Sequence, residues 1–452
     1  MSPTADAAHP TDNHAVVPDR ADIVIGGGGL AGSLMALALA ETFGDDLDIA
    51  VADPMPRATS VAAPQSGDNS DPRSTSVAAA SKQALETLGV WWRLEADAQP
   101  ITRITLTDTA LDTVARMPRL SWDNTRPDPF GDDGEPASWI VPNAALMRAT
   151  RQALSEHASV QHVRAAITAR DAQTNTCTLT LNTDPAAKRP SAESTPNGPT
   201  AHLKTALLIA ADGAASKLRR MAGIRTVGRS HDQRAIATTV AHDLPHDGVA
   251  VQHFLPGGPF AILPLTGQRC CVTWTEDARV AERIVALDDM AFMAELEHRF
   301  GGHLGALTLA GPRTTFPIAT RIARAMTASR MALIGDAARS VHPIAGQGLN
   351  LAIRDIAALT ECVADAMRSG LDAGDATTLK RYGQWRQFDA LTSAGAFASL
   401  NALYSNDSTL LRAARDVGMG IVDRLPPVKR RLVQEASGLS GNVPKLLRGE
   451  MV

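Results

Sequence analysis

Two stretches of this 452-residue chain carry side chains and glycines at spacings suited to chemistry. The first is Met331 to Asp355, MALIGDAARSVHPIAGQGLNLAIRD. A short apolar run, Met331 to Ile334, leads directly into Gly335-Asp336. A turn from Pro343 through Gly346, Gln347 and Gly348 then opens a helix at Leu349 and Asn350. The Asp336 carboxylate at a strand end can accept from hydroxyls. The first N–H groups of a helix have no internal partner and can hold partial negative charge. Pro343, Gly346 and Gly348 let backbone approach a ligand with no side chain between. An ordinary strand–turn–helix connection would carry the same glycines.

The second stretch is Ala21 to Ala40. The apolar run Ala21 to Ile25 meets Gly26-Gly27-Gly28-Gly29-Leu30-Ala31-Gly32 and then a helix of small apolar residues. Gly27-x-Gly29-x-x-Gly32 is the dinucleotide pattern: one glycine for the tight turn, one for approach of a pyrophosphate, one for packing of helix on strand. A second strand, Leu47 to Ala52, ends at Asp53, which stands 21 positions after Gly32, where an acid holds a ribose hydroxyl.

Two further candidates share this character. Leu207 to Ala211 reads as a strand ending in Asp212-Gly213, with Ser216 and Arg219 one helical turn apart beyond it. A helix cap and a surface arginine is the plainer reading. Arg73 opens Arg73-Ser-Thr-Ser-Val-Ala-Ala79, a near-repeat of Arg57 to Ala63, and is the better placed of the two arginines to touch a cofactor. His342 beside Pro343 could act as a base, although a histidine at an apolar strand–turn junction is more often structural.

Other elements must carry these residues. Strands are expected at Ile101 to Asp108, Trp139 to Val141, Val160 to Ala169, Thr176 to Leu181 and His202 to Ile209, with a helix from Asn143 to Leu154. Asp112 to Pro136 and Asp184 to Thr200 read as loop and hairpin insertion. An antiparallel sheet is expected from Ala235 to Ala241, Val249 to Leu255, Phe260 to Leu265 and Cys270 to Trp274, able to wall a substrate cavity. Helices follow at Asp288 to Phe300, Asp355 to Met367, Ala376 to Leu400 and Thr409 to Arg424.

Composition sets the bounds. The chain is too long for one typical core, and 44% hydrophobic with 20% charged residues reads as soluble and globular. A net charge of −4 gives no reason to expect nucleic acid. Cys177, Cys270, Cys271 and Cys362 have no metal spacing and read as reduced core thiols, the adjacent pair pointing to opposite faces. No apolar run reaches the roughly 20 residues a bilayer requires. The first twenty residues read as a disordered leader.

Taken in order, IGGGGLAG, DPRSTSVAAASKQALETLGVW, AADGAASKLR and GDAARSVHPIAGQGLNLAIRD resemble the group A flavoprotein monooxygenases of the para-hydroxybenzoate hydroxylase fold. GPFAILPL (Gly258 to Leu265) and the Leu379-x-x-Tyr382-x-x-x-Arg386 helix are similar to the ubiquinone-biosynthesis hydroxylases, the Ubi family. The match spans about Ala21 to Lys429. The chain departs from that family at Arg339, often His or Gln there, and at Pro142, often Glu.

The resemblance implies an α/β (α+β) fold: a Rossmann-like FAD-binding domain interleaved with an antiparallel substrate sheet, then C-terminal helices. Its boundaries would be a leader at 1–20, FAD-binding segments at 21–97, 137–227 and 312–367, substrate segments at 98–136 and 228–311, and a helical region at 368–452. It implies FAD as cofactor, NAD(P)H or a protein donor as reductant, and O2 as co-substrate. Gly27, Gly29, Leu30, Ala31 and Gly32 would hold the FAD pyrophosphate and Asp53 the adenosine ribose. Arg73 would approach the flavin, and Gly335 and Asp336 the ribitol. Pro343, Gly346, Gln347, Gly348, Leu349 and Asn350 would face the isoalloxazine. Asp212 and Arg219 would belong to a motif linking pyrophosphate to reductant. No catalytic side chain and no metal is required.

The implied activity is hydroxylation of a polyprenylated phenol in ubiquinone biosynthesis, through a flavin C4a-hydroperoxide. A non-catalytic FAD-binding scaffold in a quinone-biosynthesis complex, or another same-fold enzyme such as a halogenase or geranylgeranyl reductase, stays open, although the halogenase WxWxIP motif is absent. The expected location is cytoplasmic. Peripheral contact with the inner membrane face, or with a partner protein, is open, because Arg424, Lys429, Arg430, Arg431, Lys445 and Arg448 are interleaved with Leu425, Leu432, Leu446 and Leu447; a solvated terminal helix is the plainer reading.

Overall fold

A computed structural model describes residues 17–55, 71–107, 120–125, 134–183, 199–340, 348–386 and 442–452. Its centre is a six-stranded sheet in the order Thr327–Ala328, Met331–Leu333, Leu207–Ala210, Ile23–Gly26, Ile49–Ala52, Val160–Val163. All neighbours are parallel except the short edge strand Thr327–Ala328. Its inner strands are buried at every residue, as expected of runs covered on both faces. Helix Leu30–Phe43 covers one face with Gly32 to Ala40 wholly buried. Its alanines and glycine bring that helix close to the sheet.

Parallel pairing decides where chemistry can gather. Ile23–Gly26, Ile49–Ala52, Leu207–Ala210 and Met331–Leu333 all end on one edge. The glycine turn, Asp53, Asp212 and Asp336 follow those four ends directly. Ligands of open α/β sheets bind outside such carboxyl ends.

The second large sheet runs Arg339–Ser340, Thr314–Ala323, Thr226–His242, Arg269–Asp277, Gly258–Leu265, Val249–Leu255, Arg103–Thr107, Leu120–Asp123. One face, with Ile236, Phe260, Ile262, Val272 and Trp274, packs in a core with Ala281, Ile284, Phe292 and Phe300 of helices Ala278–Val285 and Asp289–Phe300. The opposite face meets the segment leading into strand Ser74–Ala78. There Cys271 Sγ donates to Pro72 O at 3.3 Å, and the Arg73 guanidinium lies 5.8 Å from the Phe316 ring centre. Cys270 and Cys271 do diverge, into separate cores.

Several expectations are corrected. Val160 to Ala169 and His202 to Ile209 are each two strands in different sheets: Val160–Val163 and Leu207–Ala210 join the parallel sheet, while Ala166–Ala172 and Thr200–Thr205 flank Cys177–Asn182. The second sheet is mixed, because Val249–Leu255 pairs parallel with Arg103–Thr107. Helix Ala278–Val285 was not foreseen. Residues expected to open one helix at Leu349 and another at Asp355 form a single helix, Gly348–Arg368. The helix expected at Ala376 is described from 376 to 386. Thr409 to Arg424, the Arg57 copy of the near-repeat, and most of Asp112 to Pro136 and Asp184 to Thr200 lie outside the described residues.

Candidate functional site

The glycine turn shows why each glycine is needed. Gly27 has φ +111°, and a Cβ there would lie 2.6 Å from Ala211 O. A Cβ on Gly32 would lie 1.9 Å from Gly27 O, so this glycine lets the helix sit on the turn. Gly29 differs: a Cβ there would meet nothing within 4 Å. Its hydrogen therefore borders open space at the N-terminus of helix Leu30–Phe43, whose first N–H groups receive no side-chain cap from Gly29. That is a cradle for an anion, set at the positive end of a helix dipole. Asp53 closes it from the next strand, its Oδ2 accepting from Gly28 N at 2.5 Å and its Oδ1 from Met55 N at 2.8 Å. A carboxylate has about four lone-pair sites, which leaves room for a hydroxyl.

The Asp336 turn adjoins this cradle. Gly335 has φ +57°, and a Cβ there would lie 3.3 Å from both Ala31 Cβ and Ala352 Cβ. The turn thus packs between the start of the first helix and the long helix Gly348–Arg368. Asp336 is exposed, yet desolvation holds its carboxyl above the usual range, with Arg73 opposing. Those two facts describe a carboxyl in a recess, open to a ligand but shielded from bulk water. Arg73 is exposed and held by Asp71, which accepts from Nε and Nη2 at 2.8 Å each. That bond is the main reason its guanidinium is held above its ordinary value; Asp336 adds to it.

Gly348 borders open space. Leu349 is half-buried against the main core. Asn350 is committed elsewhere: its Nδ2 donates to Ser76 O at 2.8 Å and its Oδ1 accepts from Ala78 N at 2.9 Å. It ties the helix start to the strand that follows Arg73. His342, Pro343, Gly346 and Gln347 lie outside the described residues.

Asp212 is a helix cap, its Oδ2 accepting from Lys217 N at 2.7 Å and Leu218 N at 3.1 Å. Its Oδ1 is buried and has no partner among the described residues. Arg219 is not a surface arginine: it is 5% exposed, and burial lowers its pKa. Its Nη1 donates to Ala337 O at 2.7 Å and its Nη2 to Ala214 O at 3.2 Å. The Asp212 and Asp336 turns are therefore tied together through one side chain.

Sequence reading missed Asp355. It is fully buried on helix Gly348–Arg368, and its Oδ2 accepts from Gly335 N at 3.0 Å while Oδ1 accepts from Arg386 Nε at 2.8 Å and from Arg339 Nη2. The signal was present: the residues that share its helix face, Leu351, Ala352, Ala358 and Leu359, are all apolar. At the other end of the chain, Leu446 and Leu447 are buried in the main core, so neither is available to a lipid surface. Arg424 to Leu439 lie outside the described residues. Among the described residues no cluster of metal-ligating side chains occurs.

The set fits a flavin dinucleotide: an open glycine cradle for the pyrophosphate, and two carboxylates at strand ends for hydroxyls. Residues 20–388 match the family described as FAD binding domain. The chain belongs to this family, and its hydroxylase relatives place it among the FAD-dependent monooxygenases. It is 35% identical to ubiquinone hydroxylase UbiL of Rhodospirillum rubrum, over 95% of this chain and 93% of the relative. It is 28% identical to 3-demethoxyubiquinol 3-hydroxylase of Escherichia coli, over 92% and 98%. Family membership thus extends to the branch that holds the ubiquinone-biosynthesis hydroxylases. The crystal structure of p-nitrophenol 4-monooxygenase PnpA of Pseudomonas putida superposes with TM-score 0.72, covering 94% of this chain and all of that one at 18% identity, which shows a shared fold.

Proposed function

We propose that this protein hydroxylates the aromatic ring of a polyprenylated phenol intermediate in ubiquinone biosynthesis. The observation that carries the reading is the meeting of the glycine cradle, Asp53 and Asp336 on one sheet edge, in a chain 35% identical to a ubiquinone hydroxylase. Bound FAD supplies the redox chemistry, with O2 as co-substrate and NAD(P)H or a protein donor as reductant. The protein binds, orients and excludes water. Backbone N–H groups at Gly29, Leu30, Ala31 and Gly32 hold the pyrophosphate. Asp53 accepts from an adenosine ribose hydroxyl and Asp336 from a ribitol hydroxyl. Arg73 lies toward the flavin. The helix start at Gly348 and Leu349 directs N–H groups at the electron-rich edge of the ring system.

The substrate lies against the sheet face that carries Phe316. Along that face the half-buried Thr273 and Leu263 flank the small Ala261. Small side chains there leave room for a ring and apolar tail, and the apolar lining keeps water from the reacting carbon. A polyprenylated substrate places the protein at the cytoplasmic face of the inner membrane, alone or within a quinone-biosynthesis complex. Among the described residues no helix is long and apolar enough to cross a membrane.

Deletion of the gene, followed by mass spectrometry of polyprenyl phenols and quinones, tests the reading. The expected result is accumulation of an intermediate lacking one oxygen, reversed by the wild-type gene but not by Asp336→Ala. A normal quinone pool would count against it.

A further inference from the structure

The Asp336 turn is held from beneath by side chains that lie away from its exposed carboxyl. Asp355 accepts from Gly335 N, the amide immediately before Asp336, at 3.0 Å. Its other oxygen accepts from Arg386 Nε at 2.8 Å and from Arg339 Nη2. Tyr382 donates its hydroxyl to Leu333 O at 2.7 Å. Tyr382 and Arg386 are four residues apart in the helical segment 376–386, so both project from one face. All three of Asp355, Tyr382 and Arg386 have no solvent exposure, and Arg339 has 4%.

This is a poor arrangement if stability were its purpose. Taking a carboxylate and guanidinium groups out of water is costly, and apolar residues of the same volume often do as well. What the network does fix is geometry. It acts on residues 333, 335 and 339, on both sides of Asp336. Gly335 holds φ +57° while wedged against Ala31 and Ala352, so a small shift of its amide would re-aim the carboxyl.

We infer that Asp355 is a positioning residue for the cofactor-binding turn, and that Tyr382 and Arg386 couple the C-terminal segment 376–386 to FAD binding. The inference rests on the FAD-site reading above. Coupling of this kind is reciprocal: if the segment tightens FAD binding, FAD must steady the segment to the same extent.

Two measurements on the full-length protein test it. Wild-type apoprotein is titrated with FAD first, to obtain Kd. Tyr382→Phe, which removes one hydroxyl and no bulk, is expected to raise the Kd for FAD about two- to tenfold, the worth of one hydrogen bond, and to alter the visible flavin spectrum. Asp355→Asn is expected to raise it further. In the wild type, FAD is expected to slow hydrogen exchange of the 376–386 amides, and in Tyr382→Phe to slow it less. The inference is overturned if Tyr382→Phe lowers the apoprotein Tm yet leaves Kd and spectrum unchanged and FAD leaves 376–386 exchange unaltered; the network would then be structural only. Wild-type protein that binds no FAD would overturn the site reading itself, a result distinguishable because it precedes any variant.

Discussion

Gly29 and Gly32 stand three residues apart in one turn, and alanine at each should fail in a different way. At Gly29 a new methyl meets no protein atom within 4 Å. The backbone there has φ −68° and ψ −175°, an extended conformation open to alanine. Alanine is a poorer N-cap than glycine, so Gly29→Ala should cost the apoprotein no more than about 1 kcal/mol. The methyl projects instead into the cradle. Displacing a phosphate from one charged hydrogen bond, worth roughly 1.5–3 kcal/mol, weakens FAD binding about 10- to 100-fold. Gly32→Ala places its methyl 1.9 Å from Gly27 O, far inside the roughly 3.5 Å of ordinary contact. Helix and turn must separate, which costs about 1–3 kcal/mol or more and removes the cradle as well. Titration of apoprotein with FAD, followed by flavin fluorescence, gives Kd; thermal melts without FAD give the structural cost. Gly29→Ala with wild-type FAD affinity would refute the cradle. Gly29→Ala that melts as early as Gly32→Ala would refute the assignment of open space at Gly29.

Other expectations concern charge and thiols. Desolvation raises the Asp336 carboxyl above its ordinary 3.8, so the native apoprotein binds this proton more tightly than the unfolded chain. The stability it contributes is complete below about pH 3.8 and lost as pH rises through the native value. Asp336→Asn should therefore melt higher than wild type at pH 7 in the absence of FAD, with the difference shrinking toward acid pH, while binding FAD more weakly; an equal or lower apo Tm at neutral pH would contradict this. Burial pushes the Cys270 and Cys362 thiols up to about 12 and also raises Cys177 and Cys271. At pH 8 none of the four should react with a thiol reagent until the protein unfolds, and one fast-reacting thiol in the native state would contradict the packing.

The cofactor edge was legible in the sequence because its signals are local. A buried strand, a glycine turn and an acid at the next strand end are set by spacing along a few dozen residues, and parallel pairing then brings Asp53 and Asp336 to the same edge. What escaped is non-local. The break at Ala206, between Thr200–Thr205 and Leu207–Ala210, depends on Thr205 Oγ1 donating to Asp22 O at 2.9 Å, a contact that no pattern within the apolar run reveals. The parallel pairing of Val249–Leu255 with Arg103–Thr107 joins strands nearly 150 residues apart. Asp355 stands on an apolar helix face, but its partner Arg386 lies 31 residues further along the chain. Nothing near Arg219 in the sequence reveals that it is buried and donates to Ala337 O, 118 residues away.

Hydroxylation by this chain would place one oxygen atom of O2 on a phenolic ring. Purified protein loaded with FAD should be supplied with a reductant, a polyprenylated phenol and 18O2, and the product weighed by mass spectrometry. One 18O atom on the ring, lost in Asp336→Ala and Gly29→Ala, is the predicted result. Reductant consumed with no labelled product, in protein that binds FAD and the phenol, would contradict it.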